Sequence, residues 1–214
     1  MVRQTVVPSE RLELAAHRAG HDIVVGIDEV GRGAWAGPLI VGAVVLPANR
    51  RLLGLRDSKL LTRLDRERLA RRIKRTARAW SIGIVDVREM NEIGLAAALG
   101  LAARRAIDGL GMLPTLCLVD GKYPFRTLDI EQRSIVKGDV TVRCIAAASV
   151  VAKVERDRIM RTLHRHDASV RHFRFDLNKG YPAPVHRQAL VSLGPTSHHR
   201  TYFTPIRELI MAGS

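Results

Sequence analysis

Asp28 and Glu29 stand side by side at the end of an apolar run, Ile23 to Ile27. Two adjacent carboxylates are costly unless one is protonated or a cation neutralises them. Successive strand side chains point to opposite faces, but at a strand's end the pleat relaxes and both acids can turn to one ion. On their own they fit an exposed acidic turn as well. Asp120 ends a second apolar run, Thr115 to Val119, just before Gly121. A simple turn residue is one reading of it. Strand ends are also where active sites of open α/β sheets gather, so Asp120 and the acid pair can share a cation. Asp139 is a further acidic position. Asp157 sits at i±4 spacing from Lys153 and Arg161, which favours an ion pair over a catalytic role. Oxygen donors without Cys or His at metal spacing suit Mg²⁺ or Mn²⁺ rather than zinc.

Gly31-Arg32-Gly33 follows the acid pair directly. Glycines on both sides of an arginine let backbone amides approach a ligand closely, although a plain turn remains open. Tyr181, in Asn178-Lys179-Gly180-Tyr181-Pro182, is placed either to stack on a sugar or base or to cover a loop. His198-His199 reads as a surface or phosphate-contacting pair, since adjacent histidines rarely both ligate one ion. The 214 residues carry a formal net charge of +14. Such an excess attracts polyanions, nucleic acid first among them. A basic surface that holds phosphates around an acid cluster that holds two metals about 4 Å apart is the logic of a nuclease.

The elements that must position these groups read as a mixed α/β sheet with helices on both faces. A short helix within residues 1–21 leads into the strand Ile23 to Ile27, and a second strand spans Leu39 to Leu46. Thr62 caps a helix with Leu64, Leu69, Ile73 and Ala77 at helical spacing. A strand over Ala79 to Val87 and an Ala-rich helix over Glu89 to Leu110 follow, then the strand before Asp120. Val140 to Ile145 reads as another strand, Ala147 to His166 as a long helix, and the tail as a helix near Val185–Leu193 plus a last short one. The length suits one domain, residues 1–214, with about 182–214 as a helical C-terminal extension. No run of about 18 apolar residues exists, so no membrane span is expected. The first residues lack the layout of a signal peptide, and Cys117 and Cys144 lie in apolar runs as reduced core thiols. A cytoplasmic protein is expected.

Several segments together resemble ribonuclease HII: Gly26-Ile27-Asp28-Glu29-Val30-Gly31-Arg32-Gly33, Asp57-Ser58-Lys59-Leu60-Leu61, Val119-Asp120-Gly121, Lys137-Gly138-Asp139, the run Ala146 to Asp157, Lys179-Gly180-Tyr181 and His199-Arg200. They extend from about residue 23 to about residue 206, in order and at suitable spacings. The resemblance implies an α/β fold of the ribonuclease H-like type and cleavage of RNA in RNA–DNA hybrids. It implies nicking 5′ of a ribonucleotide embedded in duplex DNA, leaving 3′-hydroxyl and 5′-phosphate ends, as in ribonucleotide excision repair. By position, Asp28, Glu29 and Asp120 are metal ligands for two Mn²⁺ or Mg²⁺ ions, with Asp139 as the fourth acid and Asp157 in reserve. Gly31-Arg32-Gly33 would read the ribose 2′-hydroxyl, Tyr181 would stack beneath the sugar beyond the junction, and Lys59 would contact phosphate. A monomer is expected. The chain departs from the family in Val30, usually Ala, and in Gly94 and Leu99, which stand where an Asn and a Thr often hold phosphate. Two other classes stay in view: a non-catalytic basic nucleic-acid-binding protein, and a nuclease of related fold that cuts all-DNA substrates.

Overall fold

The structure, a computed structural model, describes residues 7–48, 52, 54–55 and 61–212. Lys59 therefore lies outside the described residues. Five strands form one mixed sheet: β1 (Val24–Val30), β2 (Leu39–Val45), β3 (Ala79–Val85), β4 (Leu116–Asp120) and β5 (Gln132–Ile135), in the spatial order β3-β2-β1-β4-β5. β1 pairs antiparallel with β2 and parallel with β4, and β5 extends the parallel side.

Helices cover both faces. On one lie α2 (Arg63–Thr76) and α5 (Arg143–His166), packed with Val24, Val44, Leu116 and Leu118 into one core. On the other lies α3 (Val87–Asp108), packed with Val25, Ile27, Leu39, Val41 and Val119. The alternation along β1 follows from the period of two in a strand. Close packing depends on glycine beneath alanine. A Cβ on Gly26 would overlap the backbone of Cys144, one on Gly42 would lie 2.6 Å from the Ala148 carbonyl oxygen, and one on Gly83 would overlap that of Ala102. Without those side chains, α5 and α3 settle directly onto the sheet through Ala146–Ala148 and Ala102.

The remaining helices among the described residues are α1 (Arg11–Arg18), α4 (Gly138–Thr141), α6 (Phe175–Asn178), α7 (Pro184–Leu193) and α8 (Thr204–Ala212), with a 3-10 helix over Ala168–Phe173. Val140 to Ile145 is not a strand. Gly138–Thr141 is a helical turn, and α5 already begins at Arg143. The β-branched residues there are buried by packing rather than by strand pairing, so tertiary contacts override local preference. Asp86 ends the third strand early by capping α3, where its carboxylate accepts the Glu89 amide at 2.9 Å and Glu89 reaches back in a capping box. α3 is kinked at Gly94, whose φ is 76°. The short strand β5, half-exposed and polar, has no counterpart in the pattern of the sequence.

Candidate active site

The parallel register pairs Val24 with Leu116 and Gly26 with Leu118. Two residues further on, the same register brings Asp28 beside Asp120 at the carboxyl ends of β1 and β4. Asp28 faces α5, where it is hydrogen-bonded to Ser149. Glu29, pointing the other way, bends back toward Arg32, 3.7 Å from its guanidinium. Asp120 Oδ1 accepts the amides of Gly138 at 2.7 Å and of Asp139 at 3.3 Å, which fixes the start of α4 against the strand end. A cleft of about 260 Å³ gathers Asp28, Glu29, Asp120 and Asp139 with Gly31, Arg32, Gly33, Ser149, Lys153 and Tyr181.

The carboxylates disturb one another. Burial holds the Asp28 carboxyl well above its ordinary range, and the charges of Asp120, Glu29 and Asp139 push the same way against the Ser149 hydrogen bond. Burial also raises Glu29, opposed by Arg32 and reinforced by Asp120. Asp120 is raised by burial and then by Asp139, while the amides of Asp139, Gly138 and Gly121 pull it down. Such a cluster favours any cation that enters. Among the described residues no three acidic, His or Cys side chains close into a ready-made cation site. The acids line one cleft, and their all-oxygen chemistry fits Mg²⁺ or Mn²⁺.

The loop from Gly31 to Pro38 is held from inside by two arginines. Arg200 and Arg156 are both fully buried. Arg200 donates to the carbonyls of Gly31 (2.6 Å), Arg32 (3.3 Å), Gly37 (2.8 and 2.9 Å) and Pro38 (3.0 Å). Arg156 donates to those of Ala36 (3.0 Å), Pro38 (2.9 Å) and Lys179 (2.9 Å). With the carbonyls turned inward, the Arg32 and Gly33 amides donate to no acceptor among the described residues and border the cleft. Gly31 adopts φ 90°, and a Cβ there would overlap the Arg156 guanidinium, so glycine is required on both counts. Trp35 and Ala36 donate to Gly180 O, tying the loop to Tyr181. The Arg156 guanidinium carbon lies 5.2 Å from the Tyr181 ring centroid.

All the acids read from sequence except Asp157 line the cleft. Asp157 is bound instead by Lys153, at 2.6 Å, and approached by Arg66 at 3.7 Å, while Arg161 pairs with Glu67. The reading of His198-His199 as a surface pair is corrected for His199. It is buried, meets His186, and packs on Phe173 at a centroid distance of 4.7 Å. His198 bonds Asp167 at 2.8 Å. Ser149 and Lys153 belong to the Ala146–Asp157 run that carries the resemblance, but the sequence alone marks neither for a site role. They line the cleft four residues apart on the α5 face that meets the end of β1. Leu99 lines a neighbouring cleft rather than this one.

A family model for ribonuclease HII matches residues 25–206. Ribonuclease HII of Streptomyces griseus is 45% identical over 181 residues, 85% of this chain and 77% of that one. The ribonuclease HII of Paracoccus denitrificans is 44% identical over 204 residues, 95% of both. Among solved structures, RNase HII in its PCNA complex from Archaeoglobus fulgidus has a TM-score of 0.69 at 28% identity, covering 85% of this chain and 95% of that one. Ribonuclease H2 from Pyrococcus horikoshii reaches 0.73 at 24%, covering 89% and 98%. Bst-RNase HIII in complex with Mn²⁺ reaches 0.68 at 21%, covering 94% and 73%. The last two bear on the fold alone.

Proposed function

The chain belongs to the ribonuclease HII family and is a ribonuclease H, and on that premise we propose that it cleaves the RNA strand of RNA–DNA hybrids and nicks duplex DNA 5′ of an embedded ribonucleotide. The products would carry 3′-hydroxyl and 5′-phosphate ends. The observation that supports this most is the juxtaposition, in one cleft, of four carboxylates with the Arg32 and Gly33 amides of the Gly31-Arg32-Gly33 loop. The acids suit the scissile phosphate's metals, and the amides suit a 2′-hydroxyl, the group that separates RNA from DNA.

Asp28, Glu29, Asp120 and Asp139 would hold two divalent ions. When bound, those ions supply charge neutralisation and water activation for an in-line displacement. Manganese is bound by Bst-RNase HIII, a protein of the same fold. The chain's own residues do the rest. Arg156 and Arg200 keep the loop's donors in place before substrate arrives, so little ordering is left for the binding step. Tyr181, anchored through Gly180, offers its ring to the sugar next to the cut. Ser149 orients the Asp28 carboxylate. No helix among the described residues is long and apolar enough to cross a membrane, and the surplus positive charge draws the enzyme to duplexes.

The test is a duplex with one ribonucleotide, incubated with Mg²⁺ or Mn²⁺ beside an all-DNA duplex. A single cut 5′ of the ribonucleotide, abolished by EDTA and by Asp28→Asn, is expected. Equal cutting of the all-DNA duplex would remove the role given to the Arg32 and Gly33 amides. A cut that survives Asp28→Asn would remove the role given to the acids.

A further inference from the structure

Beside the acid cleft lies a second depression of about 290 Å³, which shares Glu29, Arg32 and Asp120 with it. Its inner wall is α3 at Leu99 and Gly100, and its outer wall is the loop that follows β4. Tyr123 stands on that loop with 81% of its surface exposed, between the exposed side chains of Lys122 and Arg126. Neither cation has a carboxylate partner among the described residues.

An exposed tyrosine on a slack loop would carry no meaning, but this loop is fastened at several points. Gln132 accepts the Phe125 amide at 2.9 Å and donates to the carbonyls of Phe125 at 3.0 Å and Leu128 at 3.2 Å. Thr127 Oγ1 donates to the Gly100 carbonyl at 3.0 Å, and Arg104 donates to Thr127 O at 2.6 Å. The Thr127 methyl fills the space where a Cβ on Gly100 would be, 2.5 Å away. Phe125 packs on the α3-side core. The backbone that carries the ring and its two cations is thus tied down, so the ordering left for a ligand to impose falls on those three side chains rather than on the loop.

We propose that this second cleft is a nucleic-acid subsite, seating a sugar–phosphate segment of the substrate beyond the scissile position. Tyr123 packs its ring on a sugar, and Lys122 and Arg126 contact the flanking phosphates. This rests on the reading of the acid cleft as the nuclease centre. The ligand class follows from the chemistry: unpaired cations for phosphate, an apolar ring and Leu99 for sugar, and continuity with the cleft from which a strand must exit. The subsite fixes register without reading sequence.

Kinetics on a duplex with one ribonucleotide, and anisotropy of the same labelled duplex with EDTA present, test this. Tyr123→Ala should raise KM and Kd about tenfold while leaving kcat near the wild-type value, and Tyr123→Phe should restore both. Lys122→Ala with Arg126→Ala should flatten the slope of log Kd against log salt by nearly two, about 0.9 for each phosphate no longer neutralised. Wild-type KM, Kd and salt slope in these variants would overturn the subsite, and so would Tyr123→Phe behaving as Tyr123→Ala. Should the wild-type protein cut nothing, the acid-cleft reading fails instead. The anisotropy arm then still decides the subsite by the same comparison.

Discussion

His186 and His199 meet Nε2 to Nε2 at 3.1 Å in the protein interior. His186 Nδ1 bonds Tyr181 O at 2.9 Å, and His199 Nδ1 accepts the Thr196 amide at 2.9 Å. A carbonyl can only accept, so His186 carries its proton on Nδ1. Its Nε2 then accepts from His199, and both rings are neutral. The pair fixes the backbone of Tyr181 from behind, away from the cleft.

That relationship predicts an acid limit. Burial, with the His186 ring adding to it, pushes His199 down to about 3 from an ordinary value of 6.5. Unfolded chains therefore bind a proton that the folded chain refuses. The stability contributed by neutral His199 is complete above about 6.5 and is lost as pH falls toward 3. Denaturant midpoints at pH 8, 6 and 5 should fall in the wild type and fall less steeply in His199→Gln. Parallel slopes in the two proteins would show that the histidine pair does not set the limit.

Asp28 has the opposite sign. Its folded-state value is raised, by burial first, so the stability it lends is present at low pH and lost as pH rises. At neutral pH and without divalent ions, Asp28→Asn should be more stable by about 1 kcal/mol, while its nuclease activity disappears. Mn²⁺ or Mg²⁺ should raise the Tm of the wild type by mass action and that of the variant much less. Calorimetry with and without EDTA measures both, and a variant no more stable than the wild type would contradict the strain assigned to the acid cluster.

Arg200→Lys keeps the charge but loses the fork that reaches several carbonyls at once. A cost of about 1–3 kcal/mol in stability is expected from the carbonyls left unpaired. Activity at a ribonucleotide should drop roughly 10–100-fold at temperatures where the variant remains folded, because the loop amides shift. Cutting at the wild-type rate would mean that Arg156 alone suffices to hold the loop.

Gly26→Ala places a methyl group against the backbone of Cys144 and Ile145. Helix α5 must lift from β1, so the cost is about 1–3 kcal/mol. Ser149 should withdraw from Asp28 at the same time. Thermal unfolding and kcat, measured together, should both decline; an unchanged Tm would show that α5 can rise freely.

The acid positions stood out because an apolar run that stops at a carboxylate marks a strand end in sequence. That pattern alone left Asp28, Glu29 and Asp120 open to a reading as turn residues, and their shared role came from the resemblance. Arg156 and Arg200 were not legible as buried staples, since arginine is usually exposed and only the inward-turned carbonyls of the Gly31–Pro38 loop explain their burial. Val140 to Ile145 misled because β-branched residues carry the same local preference whether a strand or a helix buries them. The edge strand β5 left no mark because its side chains are half-exposed and polar. His199 was unreadable because its partners, His186 on α7 and the Phe173 ring, meet it only once the chain has folded.

β1 is the middle strand of five, paired on both sides and covered by α5 and α3. Its amides should exchange hydrogen only when the whole domain opens, whereas loop tips exchange through local fluctuation. The first two acids are thus carried by the last part of the molecule to come apart. Heating should leave catalysis intact until the cooperative transition itself, with no earlier phase in which the enzyme is folded but silent.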